Sequence, residues 1–249
     1  MKFVFDTDEH HPYQDDRAIE LAQRITNDFD PDILFVGSDG IDFYQLSHFN
    51  KNPLKQYRLQ QEINSWKKTQ LAWIDAAPNA VRKYIKGNHE DRLRKYLWAN
   101  QEMFGLDALE LPNLLDFMKL KIDFKSVTED FYEYVIDNVA VIKHGEYARK
   151  FSGYSAKAEI EAERNSISTF TGHSHRGGSH LARTRRGVVQ AYECFCLCLL
   201  EPEYAHHPDW QQGIMLGTIT NGVISAEPVV FVEKLGRKTA IWRDKEYIV

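Results

Sequence analysis

Side chains that can bind metal ions recur in short clusters along the chain, each after an apolar, β-rich run. The clusters are Asp8 to His10, Gly37 to Asp42, Gly87 to Glu90, His144 with Gly145, and Gly172 to His175. Imidazoles, carboxylates and amide oxygens suit hard or borderline divalent ions. A carboxylate shared by two such ions can hold them about 3.5 to 4 Å apart. The pattern therefore predicts a site for two divalent metals.

The spacing within two of these clusters supports the same interpretation. In Asp8-x-His10 and His173-x-His175 the single intervening residue lets a strand end or loop direct both side chains to one place. Neighbouring glycines allow tight turns and close approach of a ligand. Each cluster alone is typical of an ordinary turn, but five of them in this order favour a functional site.

The clusters resemble the motifs of calcineurin-like metallophosphoesterases, which read DxH, GDxxD, GNH[DE], H and GHxH. The matching segments here are DEH, GSDGID, GNHE, KHGE and GHSH, between residues 8 and 175. One position departs from the family, because Ser38 precedes Asp39 where the family has glycine. HHPYQDDRAI, DFYQL and CFCLCLLEPEY also resemble compact phosphoesterases of bacteriophages. The resemblance implies a metal-dependent phosphoric ester hydrolase.

The resemblance also implies a role for each motif residue. The implied ligands are Asp8, His10, Asp39 and His175 for one metal, and Asp39, Asn88, His144 and His173 for the other. Manganese is the predicted ion, although the same donors accept iron, zinc, nickel or cobalt. A hydroxide between the metals would attack the phosphorus. His89 would stabilise the transition state or protonate the leaving oxygen.

Other polar residues near the motifs have weaker signals. Asp42 is predicted to hydrogen-bond loop amides or a ligand histidine. Arg176 begins an arginine-rich run that is either a solvated strand surface or a phosphate-binding rim, and we predict that it binds substrate. Glu90 is expected to favour the start of a helix. The three cysteines at alternate positions of 194–198 are expected to share a strand face as reduced, buried thiols.

The elements that must position these residues alternate in the N-terminal half and are mostly strands afterwards. Strands are predicted at 2–5, 33–36, 81–85, 131–136, 139–143, 167–171, 187–200, 213–220 and 227–233, with helices at 15–25, from Asn52-Pro53 to about Pro78, and at about 155–164. Residues 91–130 look mainly helical and could form a cap. This order predicts one α/β domain over 1–249, with two packed mixed β-sheets flanked by helices. The resemblance implies that they form a four-layer metallophosphoesterase sandwich.

The composition fits a globular enzyme. Of 249 residues, 43% are hydrophobic, so the chain can bury a core and is not disordered. The net charge of -5 does not indicate a general nucleic-acid-binding surface, although local arginine clusters leave nucleic-acid binding open. No apolar run approaches the roughly 18 residues of a membrane span. Acidic residues begin at Asp6, so the N-terminus lacks the apolar stretch of a signal peptide. We therefore expect no membrane partner and a cytoplasmic location, the host cytoplasm if the source is a phage.

The sequence is compatible with three functions. The leading one is hydrolysis of a phosphate ester, with a phosphodiester favoured. A nuclease acting on DNA or RNA with the same site is the alternative within the enzyme class. A catalytically inactive scaffold of the same fold should have lost ligands or the histidine of GNH, and all are present here. The sequence does not indicate the oligomeric state.

Overall fold

A computed structural model of the chain describes residues 1–54, 58–124, 132–163, 167–202 and 207–249. Within these ranges the protein is α/β, with several β-sheets and five α-helices. The helices are α1 (Asp16–Phe29), α2 (Leu59–Ala76), α3 (Asp91–Ala99), α4 (Leu111–Leu114) and α5 (Tyr154–Ala162). The strands are β1 (Lys2–Phe5), β2 (Ile33–Gly37), β3 (Val81–Ile85), β4 (Ile122–Asp123), β5 (Glu133–Ile136), β6 (Ala140–Lys143), β7 (Ser168–Thr171), β8 (Gly177–Thr184), β9 (Gly187–Cys194), β10 (Gly213–Thr220), β11 (Val223–Val230), β12 (Val232–Lys234), β13 (Arg237–Trp242) and β14 (Lys245–Ile248).

Two mixed sheets make up most of the β-structure. The larger has the order β11-β10-β1-β2-β3-β4, in which β1 to β4 are parallel and β10 is antiparallel to β1. The second has the order β5-β6-β7-β9-β8, with β6, β7 and β9 parallel. Strands β12 to β14 form a small antiparallel sheet. The carboxyl ends of neighbouring parallel strands therefore meet at one edge of each main sheet.

The core divides according to the faces of the sheets. Phe3 and Phe170 belong to a buried cluster between the two main sheets, and their ring centroids are 5.2 Å apart. Val4 points to the opposite face, because side chains alternate along a strand, and packs in a cluster with Leu21 of α1 and Trp66 of α2. On the second sheet, Ile160 of α5 lies in a cluster with residues of β9. Helices thus flank both sheets.

Much of the predicted element order is present. Strands β1, β3 and β10 have the predicted bounds, and β2, β6, β7, α1 and α5 lie within a few residues of theirs. Helix α1 begins at Asp16 because the side chain of Asp15 accepts hydrogen bonds from the N–H groups of Arg17 and Ala18, at 3.0 and 3.3 Å. The predicted strand at 131–136 is β5, and its first residue lies outside the described ranges.

The prediction that a helix starts at Asn52-Pro53 is wrong, since α2 begins at Leu59. The Asn52 side-chain oxygen accepts a hydrogen bond from the N–H of Leu54 at 2.9 Å, which favours a local turn over a helix start. The N–H of Arg58 donates instead to Oε1 of Gln61 at 2.8 Å, and this contact caps the helix later in the chain.

The segment predicted to be mainly helical, 91–130, contains less helix than expected. Its described part, up to Phe124, holds α3, α4, the short strand β4 and several turns. Leu93, Leu115 and Phe117 are buried, and the Phe117 ring lies 4.7 Å from that of Tyr84. The segment therefore supplies core side chains beside β3. A cap over the site stays a prediction, and residues 125–130 lie outside the described ranges.

The predicted strand at 187–200 is shorter than expected. Strand β9 ends at Cys194 because Phe195 has a left-handed backbone, with φ of 69°. Cys196 and Cys198 lie beyond it, so the three cysteines do not share one strand face. All three are free, buried thiols, as predicted.

Strands β8, β13 and β14 were not predicted, since they lack long apolar runs. Strand β8 lies at the edge of its sheet and reads GGSHLART, with half-buried and exposed residues alternating over most of its length. Within the described ranges, no helix has the length and apolarity that a membrane crossing needs.

Candidate metal centre

The motif loops meet at the carboxyl ends of the parallel strands. The loops after β1, β2 and β3 carry Asp8 and His10, Asp39, and Asn88. Strands β6 and β7 of the second sheet are followed by His144 and by the segment with His173 and His175. Pairing of parallel strands within each sheet, and packing of one sheet on the other, bring these loops together. The structure thus assembles all seven predicted metal ligands in one place.

The first ligand group consists of Asp8, His10 and His175. The Nε2 atoms of the two histidines are 3.0 Å apart, and Oδ1 of Asp8 lies 3.2 Å from His175 Nε2 and 3.6 Å from His10 Nε2. Atoms with these separations leave a point about 2.1 Å from all three, which is the usual distance between a metal and an imidazole nitrogen. The group therefore fits a divalent ion.

The second ligand group is built around Nε2 of His144. That atom lies 3.0 Å from Nδ1 of His173, 2.8 Å from Oδ1 of Asn88 and 3.3 Å from Oδ2 of Asp39. The same Asp39 oxygen is 3.9 Å from Nε2 of His10, in the first group. Asp39 therefore stands between the two groups, where a bridging carboxylate would be expected.

The backbone of the motif loops is held in an uncommon conformation. Left-handed φ values of 52 to 66° occur at Asp8, His10, Ser38, Asp39, His173 and His175. This conformation costs a non-glycine residue roughly 1–2 kcal/mol, so it persists only where the surroundings impose it. Its concentration on residues that converge at one point is typical of a functional site.

Two motif glycines are required for the close approach of the loops. A Cβ on Gly87 would lie 2.1 Å from Oδ1 of Asp39. A Cβ on Gly172 would lie 2.0 Å from the hydroxyl of Thr7 and 2.3 Å from Oδ2 of Asp8. Any larger residue at either position would displace a carboxylate of the ligand groups.

In each ligand group the pKa of one histidine is raised and that of another is lowered. Burial lowers the pKa of His10 and His144, but nearby carboxylates outweigh it, so the pKa of His10 is well above its usual value and that of His144 is about 9. Burial lowers the pKa of His173 and His175 below the ordinary value. An entering divalent ion would displace one proton from each group.

Addition of Mn²⁺ should raise the melting temperature, and the rise should be larger at pH 8 than at pH 6. In the metal-free protein, protonated His10 and His144 stabilise the fold fully below their unfolded-state pKa, and this stabilisation is lost as the pH rises through their raised pKa values. Metal binding has the opposite dependence, because it needs unprotonated imidazoles. At an ion concentration of 100 times Kd, we expect a shift of about 5 to 10 °C. Differential scanning fluorimetry with Mn²⁺ or with EDTA measures it, and a shift that shrinks with pH would contradict the protonation states.

Asp42 lies beside both groups and contacts histidines rather than loop amides. Its Oδ2 is 3.4 Å from Nδ1 of His10 and 3.1 Å from Nδ1 of His89. Its Oδ1 accepts a hydrogen bond from Nη1 of Arg92 at 2.7 Å. Burial raises the pKa of Asp42, but the contacts with the two histidines outweigh it and hold the pKa well below its usual range. Asp42 is therefore an ionised partner of both rings.

His89 faces the cavity at the edge of the ligand groups. Its Nε2 lies 3.7 Å from Oδ2 of Asp39 and 3.2 Å from Nη2 of Arg92. Its backbone N–H donates to Oδ1 of Asp39 at 2.7 Å, so the residue also orients that carboxylate through its main chain. The ring can reach a molecule in the cavity through Nε2.

Glu90 has a role that sequence reasoning missed. It is buried and accepts hydrogen bonds from the backbone N–H groups of Gly87, Asp39 and Ile41, at 2.8, 3.2 and 3.4 Å. One carboxylate thus ties the loop after β2 to the loop after β3. Burial and the charge of Asp39 raise its pKa to about 7. The available signal was an acidic residue directly after the GNH motif, where β3 gives way to α3.

Replacing Glu90 with glutamine should weaken Mn²⁺ binding by roughly tenfold, because a glutamine amide must direct an N–H at one of these backbone donors. Glu20→Gln, on the exposed surface of α1, is the matched control and should bind as wild type. Calorimetric titration with Mn²⁺ measures both. Equal affinities for the two variants would show that Glu90 does not hold the loops.

Ser38, the departure from the family motif, contacts a predicted ligand. Its hydroxyl lies 2.8 Å from Nδ1 of His144 and 2.8 Å from the hydroxyl of Thr7. The Thr7 hydroxyl in turn donates to Oδ2 of Asp8 at 2.5 Å. A chain of hydroxyls therefore links the two ligand groups and orients His144 with Nε2 toward the second group.

Two cysteines lie behind the first ligand group. The Sγ of Cys198 is 3.9 Å from Nδ1 of His175, and Sγ of Cys196 contacts the carbonyl of Gln211 at 3.5 Å. These sulfurs and His175 are close enough to form a third metal-competent group. However, a hydrogen bond to Cys196 and burial raise the pKa of Cys198 well above its usual value. Without a metal, the thiol of Cys198 therefore favours its protonated form beside the ring of His175, and a metal ion bound there would displace that proton, as it would at His10 and His144.

A cavity of about 410 Å³ opens above the ligand groups, and Arg176 lines it together with Trp210 and the segment 148–150. Nε of Arg176 donates to the carbonyl of Asp209 at 2.9 Å, and Nη1 donates to the carbonyl of Arg149. Arg176 therefore joins two parts of the rim. Its predicted contact with substrate stays a prediction.

Comparison with protein-family models gives no match for this chain, and comparison with curated proteins gives none either. The functional assignment consequently depends on the chemistry of the assembled side chains.

Proposed function

We propose that this protein is a dinuclear metal-dependent phosphoesterase that hydrolyses a phosphate ester, with a phosphodiester favoured over a monoester. One observation supports this above all: Asp39 belongs to one of two three-residue groups that could each hold a divalent ion, and its Oδ2 also lies 3.9 Å from Nε2 of His10 in the other. The order of the motifs and the two helix-flanked sheets also fit the four-layer sandwich of calcineurin-like metallophosphoesterases. Manganese is the ion proposed, since the histidine, carboxylate and amide donors suit it.

Bound divalent ions would supply a nucleophilic hydroxide near neutral pH and draw charge from the phosphoryl oxygens. Asp8, His10 and His175 would hold one ion, and Asn88, His144 and His173 the other. Asp39 would keep the two cations close, because its carboxylate offsets their mutual repulsion. Complete sets of ligands argue against an inactive scaffold.

His89 would protonate the leaving oxygen or stabilise negative charge on the phosphoryl group. The Asp42 carboxylate lies 3.1 Å from Nδ1 of the ring, and Nε2 is directed toward the cavity. Nε2 lies 3.2 Å from the Arg92 guanidinium, which can only donate, so Nε2–H would donate to a phosphoryl oxygen or to the leaving oxygen once that contact is released. Asp42 then stabilises the positive ring.

Replacing Arg92 with glutamine should lower kcat/KM by roughly 10- to 100-fold. Arg92 Nη1 donates to both Oδ1 and the carbonyl of Asp42, at 2.7 and 2.6 Å, and Nη2 points at Nε2 of His89 at 3.2 Å. The guanidinium thus fixes Asp42 and adds a donor where a phosphoryl oxygen would meet His89. Arg94→Gln is the control on the same helix, since Arg94 binds Asp91 and Tyr132 instead. Similar steady-state kinetics for both variants would exclude Arg92 from the site.

The proposed function is tested by a substrate screen with Mn²⁺-reconstituted protein. The substrates are a phosphomonoester, a phosphodiester, cyclic nucleotides, and single- and double-stranded nucleic acids. We expect Mn²⁺-dependent hydrolysis that is fastest for a diester and is lost in Asp39→Asn, which controls for contaminating enzymes. If the protein binds two Mn²⁺ ions and hydrolyses none of these substrates, the function is not phosphoester hydrolysis.

A further inference from the structure

The rim of the cavity differs in chemistry from the ligand groups beneath it. It combines the indole of Trp210 with three cationic side chains, Arg149, Lys150 and Arg176. Arg149 and Lys150 are exposed, and Arg176 is partly buried at the base of the rim. The carboxylate of Asp209, the residue before Trp210, is paired with Arg176 at 3.6 Å. In a chain with a net charge of -5, this concentration of positive charge favours an anionic ligand.

Trp210 is held in place by the loop that carries it. The N–H of Gln211 donates to the carbonyl of His175 at 2.9 Å, and Oε1 of Gln211 accepts from the N–H of Gly177 at 3.1 Å. Arg176 donates to the carbonyl of Asp209, the residue before Trp210 in the chain. A side chain between such anchors loses little further freedom when a ligand packs against it.

The indole lies directly beside a ligand of the first group. The ring centroids of Trp210 and His175 are 4.2 Å apart, with 70° between the ring planes. Nε2 of the same His175 belongs to the first ligand group. A phosphoryl group above the ligand groups would therefore place its ester substituent within reach of the indole. An aromatic substituent would gain most from this contact.

From this arrangement we infer that the substrate is a nucleoside phosphate whose base packs against Trp210, an inference that rests on the proposed phosphoesterase function. Aromatic packing for a base next to cations for phosphates is how proteins hold single nucleotides and single strands without reading sequence. A sugar phosphate or glycerol diester has no aromatic group that could pack against the indole. Arg149 and Lys150 line the same cavity and would be available to a neighbouring phosphate of a single strand, so both a mononucleotide and a single-stranded nucleic acid have this chemistry.

The test uses two esters with the same leaving group. Mn²⁺-loaded protein is given thymidine 5′-(p-nitrophenyl phosphate) or methyl p-nitrophenyl phosphate, and release of nitrophenolate gives kcat/KM for each. We expect the nucleoside ester to be preferred by about tenfold. Trp210→Ala should bring the ratio close to one, and Trp210→Phe should keep most of it. Trp98→Ala, an exposed tryptophan on α3, is the matched control and should not change the ratio.

A binding measurement separates this inference from the proposed function. Calorimetry compares thymidine 5′-phosphate with methyl phosphate on the same Mn²⁺-loaded protein, and the nucleotide should bind about tenfold tighter. If both esters are cleaved equally, the function holds and the nucleoside preference is wrong. If neither is cleaved, the proposed function fails, and equal binding of the two phosphates would overturn the inference as well.

The dependence of KM on substrate length distinguishes a mononucleotide substrate from a single-stranded nucleic acid. A single-stranded oligonucleotide that is cleaved with a lower KM than a dinucleotide, and loses this advantage in Lys150→Gln, identifies nucleic acid. Equal KM values identify a mononucleotide or dinucleotide. A strong preference for duplex over single strand would contradict the inference, because stacked bases cannot pack on the indole.

Discussion

Replacing Asp39 with asparagine should leave the protein with at most one bound Mn²⁺ and lower its turnover by roughly 10³-fold, which corresponds to about 4 kcal/mol of transition-state stabilisation. Asparagine keeps the shape of the side chain but removes the charge between the two ligand groups. Oδ2 of Asp39 lies 3.3 Å from His144 Nε2 and 3.9 Å from His10 Nε2, so this carboxylate oxygen is close to both groups. Without the charge, repulsion between two close cations is no longer offset.

Metal analysis after Mn²⁺ reconstitution and dialysis measures the first effect, and steady-state kinetics measures the second. Asp137→Asn is the matched control, because Asp137 is exposed in the turn between β5 and β6, and asparagine accepts its left-handed backbone. The control should retain both ions and wild-type turnover. If Asp39→Asn also retained both ions and full turnover, Asp39 would not be the bridging ligand.

The convergence of the predicted ligands could be anticipated from the sequence because it follows from strand direction. Asp8, Asp39 and Asn88 each come three residues after the end of a short β-rich run. Once such runs form neighbouring parallel strands, the residues after them must share one edge. The left-handed backbone at Asp8 and Asp39 was not foreseeable, because neither residue type requires it.

Residues that support the ligands could not be found in this way, because their partners are distant in sequence. Ser38 contacts His144, more than a hundred positions later, and Glu90 binds the N–H of Asp39. A serine in a turn or an acid before a helix has an adequate local explanation. The contact of Ser38 depends on the packing of one sheet on the other, and that of Glu90 depends on the pairing of β2 with β3.

The failure to predict some of the strands has a related physical cause. Strand β8 alternates exposed and half-buried residues at a sheet edge, so it has no apolar run to mark it. The reverse error occurred at 195–198, where an apolar run predicted a strand that Phe195 ends with a left-handed turn. A hydrophobic pattern indicates which residues are buried, not whether their backbone is regular. Buried residues with irregular backbone occur where the chain bends toward a functional site.

Replacing His89 with alanine should separate metal binding from chemistry. The variant should retain both Mn²⁺ ions, because the His89 ring is outside the two groups that share Asp39. Its backbone N–H, which donates to Oδ1 of Asp39, persists in alanine. kcat should fall by roughly 10² to 10⁴, which is about 2.7 to 5.4 kcal/mol of transition-state stabilisation. Circular dichroism and metal analysis provide the controls for folding and occupancy.

The dependence on leaving group distinguishes the two roles that His89 could have. If Nε2–H protonates the leaving oxygen, the loss in kcat should shrink for nitrophenyl esters, whose leaving group needs no proton. If it only stabilises charge on the phosphoryl group, the loss should be similar for nitrophenyl and alkyl esters. His89 and Asp42 also form a metal-competent group with His10, so loss of an ion from His89→Ala would make the residue a ligand. Wild-type kcat on every cleaved ester would remove it from the mechanism, since proton donation and charge stabilisation both require its ring.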